Sequence, residues 1–373
     1  MMDMDSKEIC LRLLDQAGVP VNGTEPWSLQ VHDERLWDRI AAQRQLGFGE
    51  AYMEGWWDCD QLDEALTRLV AVDAVSAIRP TPLIVAHMLK SMVTNRQTKA
   101  LAIKNAQHHY DIGNDLYSRM LGKEMIYSCG YWENATSLDA AQTAKLELIC
   151  QKLELKPGMR VLDIGSGWGG FLRYAVKHYG VVGVGISLAT QQIKVARDRS
   201  LDLDLEFLQM DYRDLHGTFD RIVSIGMMEH VGPKNLKKFF VKCQEFLTDD
   251  GIMLHHTITS IVSENRNDPF FDRYIFPGGI IPSLTQISKA SETKWVIEDV
   301  HNFGTDYDLT LMAWYQNINV KWHEIPQYDE RFRRMWNYYL LASAAGFRAR
   351  DLQLMQVVFR RPGRFPKYRS IRH

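Results

Sequence analysis

The sequence predicts an α/β protein in which a seven-stranded sheet is wound with helices on both faces, with a small, mostly helical N-terminal domain ahead of it. Three observations lead there. From residue 157 onward, short β-branched runs alternate with amphipathic stretches, the pattern of parallel strands buried beneath crossover helices. The first of these runs, VLDIGSGWGG over 161–170, passes directly from an apolar strand into a glycine-rich turn. Residues 1–78 lack the alternation and read as helical segments broken by turn residues in AGVPVNGTEP. A chain of 373 residues is too long for one comfortable core, so a large domain with a smaller companion is expected.

The N-terminal domain, 1–78, carries an aromatic-rich segment, LGFGEAYMEGWWDCDQLDEAL over 46–66, in which Trp56 and Trp57 suit core packing or an interface. Residues 79–100 open with RPTP, which removes backbone donors and favours an extended turn, then become basic in TNRQTK. They read as a linker. The larger domain spans 101–373, with strands expected at 160–165, 181–187, 205–211, 220–225, 251–258, 295–301 and 352–361. That is one strand more than the usual dinucleotide-binding sheet.

Composition narrows the function. The balance of 44 Lys+Arg against 46 Asp+Glu leaves a net charge of −2, too little to recruit nucleic acid, so no such partner is expected. After Asp351 no acidic residue appears, while Arg360, Arg361, Arg364, Lys367, Arg369 and Arg372 crowd together. This suits a solvated tail or a patch for anionic lipid headgroups. The cysteines Cys10, Cys59, Cys129, Cys150 and Cys243 are odd in number and form no CxxC pair, which argues against a disulfide framework or structural zinc and for a reduced compartment. MMDMDSKEICLRLL begins acidic where a signal peptide would be basic, and no apolar run approaches the ~18 residues of a spanning helix. A cytoplasmic protein is expected.

The glycine turn points to a nucleotide cofactor. Gly165, Gly167 and Gly169 leave the strand end without Cβ atoms, so a ligand can lie against the backbone and the next helix's N-terminus. Asp163, inside the strand just before the turn, would repel a pyrophosphate but suits a cation. S-adenosylmethionine carries an ammonium and a sulfonium and no phosphate. Asp211, at the end of the third strand in LEFLQMDYRDL, is placed to accept from an adenine amino group. The rival, a nicotinamide or flavin dinucleotide, wants an acid at the end of the second strand for the ribose hydroxyls; VVGVGISLATQQ offers only Ser187 and Gln192 there. Both aspartates also fit a plain capping role.

The segments QHHYDIGNDLYSRML, YSCGYW, VLDIGSGWGG, GMMEHVGPKN, HTI, YIFPGG, HNFGTDYDLTLMAWY and FRARDLQLMQVVF, in this order, resemble the cyclopropane-fatty-acyl-phospholipid synthase family over essentially the whole chain. The resemblance implies a class I, Rossmann-like S-adenosylmethionine-dependent methyltransferase fold and transfer of a methylene unit onto the cis double bond of a phospholipid acyl chain. It places the cofactor against Tyr127 and Ser128, Gly165 and Gly167, Ser187, Leu188 and Gln192, and Asp211. Polar side chains and backbone then replace the missing acid at the ribose. Ser166 departs from the family, which has cysteine there; its small size keeps the turn intact.

An isolated alkene is a poor nucleophile, so the reaction rests on alignment with the sulfonium methyl. Methyl transfer leaves a carbocation that water would trap, so a dry pocket lined with π-faces is needed. Tyr110, Tyr131, Trp132, Phe271, Tyr274, Phe303, Tyr307, Trp314 and Tyr315 are the candidates in the catalytic half, and Tyr307 is singled out among them. Ring closure requires a base. In the family that base is a bound bicarbonate, and the matching positions are Cys129, Glu229, His256, Ile258 through its backbone, and Tyr307. A buried polar network and a metal held by Cys129, Glu229, His256 and either His255 or His301 are the alternatives; adjacent His255 and His256 point to opposite faces of a strand, against the metal.

A substrate bond deep in hydrocarbon, with no spanning segment, calls for peripheral association with the inner membrane face. The N-terminal helices with Trp56 and Trp57, the basic stretch between Arg79 and Lys104 and the Arg-rich tail are the expected docking elements. A homodimer would add avidity on a lipid surface. Other readings are a related lipid C-methyltransferase, a small-molecule methyltransferase and a non-catalytic lipid-binding protein.

Overall fold

The computed structural model describes residues 6–72, 97–99, 101, 113–363 and 366–372. Most of the expected linker, with Lys104 and Tyr110, lies outside the described residues.

The chain forms two compact units, and the first is discontinuous: Met1–Thr94 is joined by Arg266–Pro277 and Leu311–Leu352. The sequence reading divided the chain by position, whereas packing divides it by which helices complete a core. In the first unit the helices Ser6–Gln16, Leu36–Met53 and Leu62–Ala71 and a two-stranded antiparallel ribbon, β1 (Gln30–Val31) and β2 (Trp57–Asp58), are too few to close a core themselves. The long helix Glu330–Arg348 completes it: Arg334 donates to Trp57 O at 3.0 Å and to Asp58 at 2.6 Å, and Arg348 to Asp63 at 2.7 Å. Trp57 is fully buried and stacks on Phe48 at 4.3 Å. Trp56 is covered instead by the guanidiniums of Arg35 and Arg39, each 4.7 Å from its ring.

The second unit holds the sheet. Its strands are β3 (Arg160–Ile164), β4 (Val182–Ser187), β5 (Leu205–Gln209), β6 (Phe219–Ile225), β7 (Leu247–Ser260), β8 (Val296–Asn302) and β9 (Leu352–Arg360), ordered β5-β4-β3-β6-β7-β9-β8. Pairs from β5 through β7 are parallel and β8 pairs antiparallel with β9. All seven expected strands form.

Alternation along the strands divides the core between two faces. Leu162, Ile164, Ile222 and Met253 join Phe239, Phe240 and Phe246 of the helix Leu236–Phe246 on one face. Val161, Val223, Ile252 and Leu254 join Leu146 and Ile149 of the helix Leu138–Lys152 and Phe171 and Leu172 of the helix Gly170–Tyr179 on the other. Asp163 and His256 continue the second set by parity, so both are directed to the face covered by Leu138–Lys152. The strand order reverses between β3 and β6, and in open sheets that reversal opens a crevice at the strands' carboxyl ends.

Candidate active site

The glycine turn expected to hold the cofactor is built where β3 ends. Gly165 and Ser166 both donate their backbone N–H to Ile186 O, at 2.9 and 3.0 Å, which ties the turn to β4. Gly169 caps the following helix in the left-handed region at φ 80°, and a Cβ there would sit 2.6 Å from Phe207 Cζ. Gly167 differs: a Cβ would meet nothing nearer than Gln192 Nε2 at 4.0 Å, leaving a cleared surface beside the backbone. Asp163, 2% exposed, has its Oδ1 buried without a partner, as does the Ser166 hydroxyl. Buried polar atoms left bare are costly unless a ligand meets them. This donor set fits a cationic cofactor.

The other expected contacts surround that turn. At the end of β4, Ser187 donates to Gln192 Oε1 at 3.1 Å and accepts from Ala189 N at 3.2 Å, with half-buried Leu188 between. Just past β5, Asp211 accepts from Arg213 N at 2.9 Å, Nε at 2.7 Å and Nη2 at 2.6 Å. Burial acts to raise the Asp211 pKa, but the hydrogen bonds from Arg213 outweigh it and hold the carboxyl below its usual range. Before the helix Leu138–Lys152, Tyr127 packs its ring on Tyr117 at 5.2 Å, and Ser128 is buried.

The expected base-site residues arrive from separate elements. Glu229 lies in the 3-10 turn Met228–His230 after β6. Its Oε1 accepts from Ile258 N at 2.8 Å, while Oε2 is buried with no partner. The backbone N–H of Ile258 therefore serves Glu229 directly. His256, 1% exposed on β7, has Nδ1 at 3.4 Å from Gln356 Nε2 and Nε2 buried with no partner. With the amide nitrogen facing Nδ1, the imidazole proton belongs on Nε2. Cys129 is fully buried and donates to Gly130 O at 3.1 Å. Tyr307 lies in the helix Thr305–Val320 one turn before Thr310, whose hydroxyl oxygen accepts from Gly130 N at 3.0 Å and from Trp132 Nε1 at 2.9 Å. Thr310 thus fastens the Cys129 segment to the helix that carries Tyr307.

Comparison with known proteins settles the family. The family model for mycolic acid cyclopropane synthetase matches residues 97–357. The chain belongs to that family. It is 47% identical to the cyclopropane-fatty-acyl-phospholipid synthase of Escherichia coli (strain K12) over 95% of this chain and 93% of that protein. Against the tuberculostearic acid methyltransferase UfaA1 of Mycobacterium tuberculosis the identity is 30% over 95% of this chain and 88% of the other. Among solved structures, the cyclopropane synthase MmaA2 from Mycobacterium tuberculosis superposes with a TM-score of 0.65 at 29% identity, covering 69% of this chain and 97% of that one. The mycolic acid cyclopropane synthase CmaA1, complexed with SAH and CTAB, gives 0.66 at 30%, with the same coverage. The fold is the Rossmann-like class I fold of S-adenosylmethionine-dependent methyltransferases, and the protein is an enzyme of that class.

In this family member, burial sets the protonation states. It pushes the Glu229 carboxyl up to about 7, offset in part by backbone hydrogen bonds, that from Ile258 N–H among them. It holds the His256 imidazole well below its ordinary range, with Lys145 and Lys152 adding to the effect, so the ring is neutral. It pushes the Cys129 thiol well above its usual range, which keeps a proton on sulfur.

His255 faces away from His256, into the rings of Phe239, Phe240 and Phe359, so the two do not converge. Among the described residues no group of three or more His, Cys, Asp or Glu side chains is placed to hold a metal ion.

Sequence reasoning missed Lys145. It is fully buried, donates to Ser128 Oγ at 2.9 Å and acts electrostatically on Cys129, Asp163 and His256. Burial pushes its ammonium down to about 7 and the Asp163 carboxyl up to about 7, each partly offset by the other. Gln142, one turn earlier, donates to Ser128 O at 2.8 Å. Leu138, Ala141, Gln142, Lys145, Ile149 and Lys152 share one buried face at helical spacing, and three of these six are polar, so the sequence alone gave no apolar stripe to mark the face as buried. Phe271, Tyr274, Trp314 and Tyr315, candidates for a π-lined pocket, belong to the first unit, whereas Tyr131 and Phe303 belong to the second, with Phe303 5.8 Å from the His256 ring.

Proposed function

We propose that the protein transfers a methylene unit from S-adenosylmethionine to the cis double bond of unsaturated acyl chains in membrane phospholipids, giving cyclopropane fatty acyl chains. The likeness to the Escherichia coli synthase across 95% of the chain carries this reading. The bare, buried Oε2 of Glu229 and Nε2 of His256 support it at the site. When bound, S-adenosylmethionine supplies the electrophilic methyl group and hydrogencarbonate the base that removes a proton from the delivered methyl.

The chain's own residues hold these groups. The Gly165–Gly169 backbone, Tyr127, Ser128, Ser187, Leu188 and Gln192 bind the cofactor, Asp211 the adenine, and Asp163 offsets cofactor positive charge. Glu229 would accept from the hydrogencarbonate hydroxyl, and His256 and Tyr307 would donate to its oxygens. Cys129 closes the cage, and Ile258 N–H keeps Glu229 in position. A neutral imidazole beside a carboxylic base avoids placing a second cation near the carbocation. The same residues, orienting the reacting groups in a water-poor site, supply the alignment an unactivated alkene needs.

We further read the protein as a homodimer that docks peripherally on the inner membrane face, with the N-terminal unit as docking and dimer-contact element. No helix among the described residues is long and apolar enough to cross a membrane. Of the basic residues near the chain's end, Arg360, Arg361 and Arg372 bind internal partners, and Lys367 and Arg369 are exposed.

The deciding assay incubates the enzyme with vesicles of unsaturated phospholipid and labelled methyl donor, followed by proton NMR of the lipids. High-field ring resonances are expected, slowed by stripping dissolved carbon dioxide and indifferent to a chelator. A methyl branch without a ring would make the protein a lipid C-methyltransferase.

A further inference from the structure

The segment after β9 folds inward onto the wall of the base site. Tyr368, 7% exposed, packs in the core beside the helix Leu138–Lys152 and donates to Lys152 O at 3.1 Å. Arg360 lies over the Tyr368 ring at 5.3 Å and donates to Pro366 O at 2.7 Å and to Glu154 at 2.9 Å. Arg372 then forks onto Asp299 of β8: Nη1 donates to Oδ2 at 2.7 Å and Nη2 donates to Oδ1. The Arg372 carbonyl accepts from the Tyr131 hydroxyl at 2.6 Å.

Both partners of Arg372 lead to the site. The Asp299 side chain is 1% exposed and lies 3.3 Å from the fully buried Lys152 ammonium, which donates to His301 Nδ1 at 3.0 Å. The Tyr131 ring meets His301 at 5.7 Å and Phe303 at 5.2 Å, and His301 meets Phe303 at 5.1 Å. Phe303 presents its edge to His256 at 5.8 Å. A guanidinium at the surface, 38% exposed, is thereby connected through the Asp299 carboxylate, the Lys152 ammonium and the rings of His301 and Phe303 to the imidazole of the base site.

We propose that Arg372 is a positioning residue: its fork on Asp299 and its carbonyl on Tyr131 hold the Tyr131–His301–Phe303 wall against His256 and keep water from the reacting carbon. This rests on the ring-forming reading above. A bidentate pair on a buried carboxylate fixes orientation as well as distance, and the Tyr131 ring meets both His301 and Phe303 edge to face. When the wall loosens, a water oxygen adds to the cationic carbon and the resulting oxonium loses a proton to solvent. The product is then a methyl-branched alcohol, with no proton taken from the methyl group and no ring.

The test compares wild type with Arg372→Met, Arg372→Lys and Tyr131→Phe on unsaturated phospholipid vesicles, measuring total labelled methyl incorporated and the ratio of ring to alcohol by mass spectrometry. The expected result is an alcohol share that rises about tenfold or more in Arg372→Met and Tyr131→Phe, with Arg372→Lys intermediate, while total methyl transfer falls by less than about tenfold. An unchanged ratio in both Arg372→Met and Tyr131→Phe overturns the proposal, whether or not turnover drops, because a purely structural role lowers yield without redirecting the cation. Tyr131→Phe removes one hydroxyl and so carries the test if Arg372→Met does not fold. Wild-type enzyme that forms no ring at all would count against the proposed function instead.

Discussion

At the scale of single residues, the site is held in a state that costs stability. Glu229 is buried with one oxygen bare, and its carboxyl stands at about 7 in place of 4.5. A carboxyl whose folded pKa is raised stabilises the fold fully below pH 4.5 and loses that contribution as pH rises through about 7. At pH 8 the ionised side chain therefore costs on the order of 3 kcal/mol. Glu229→Gln, which does not titrate, should be more stable than wild type in urea denaturation at pH 8, by roughly 2–3 kcal/mol, with a smaller gain at pH 5. The same variant should lose ring formation by about 100-fold or more. Ring formation unchanged in Glu229→Gln would remove this residue from the proposed mechanism. Residue types at the site were legible in the chain, because the GMMEHVGPKN and HTI segments carry Glu229 and His256 openly. Their bareness was not: that depends on Ile258 and Gln356, which come from β7 and β9.

At the scale of elements, the glycine turn separates two jobs that sequence alone assigns together. Gly169 is demanded by the fold, since its left-handed φ and the Phe207 ring at 2.6 Å leave no space for a methyl group. Gly167 is left to the ligand under the proposed function, since its Cβ direction is open. Gly169→Ala should lower stability by roughly 2–3 kcal/mol in urea denaturation. Gly167→Ala should cost only about 1 kcal/mol yet weaken S-adenosylmethionine binding in titration calorimetry, with a normal melt; equal binding by that variant would place the cofactor elsewhere. The helix Leu138–Lys152 shows the opposite limit. Its lysines carry no mark in the sequence that separates them from helix surface; the fold places Lys145 beside Ser128 and Lys152 beside Asp299. Helical spacing says which residues share a face, and it does not say that the face will be buried.

At the scale of the whole molecule, charge and connectivity decide what can reach a lipid. With a net charge of −2, the electrostatic part of the proposed docking rests on local basic groups. Vesicle sedimentation at low salt should therefore show stronger binding to anionic than to neutral membranes, weakening as salt rises; equal binding would remove the electrostatic part of the docking proposal. By itself the sequence determined the seven-strand α/β fold and the glycine turn at the end of β3, because strand periodicity and turn chemistry are local properties. Only the tertiary structure decided that the N-terminal helices are completed by Glu330–Arg348, that Lys145 is buried beside Ser128, and that Arg372 turns inward to Asp299. Those facts depend on which distant segments exclude water from one another, and no window along a chain contains both partners.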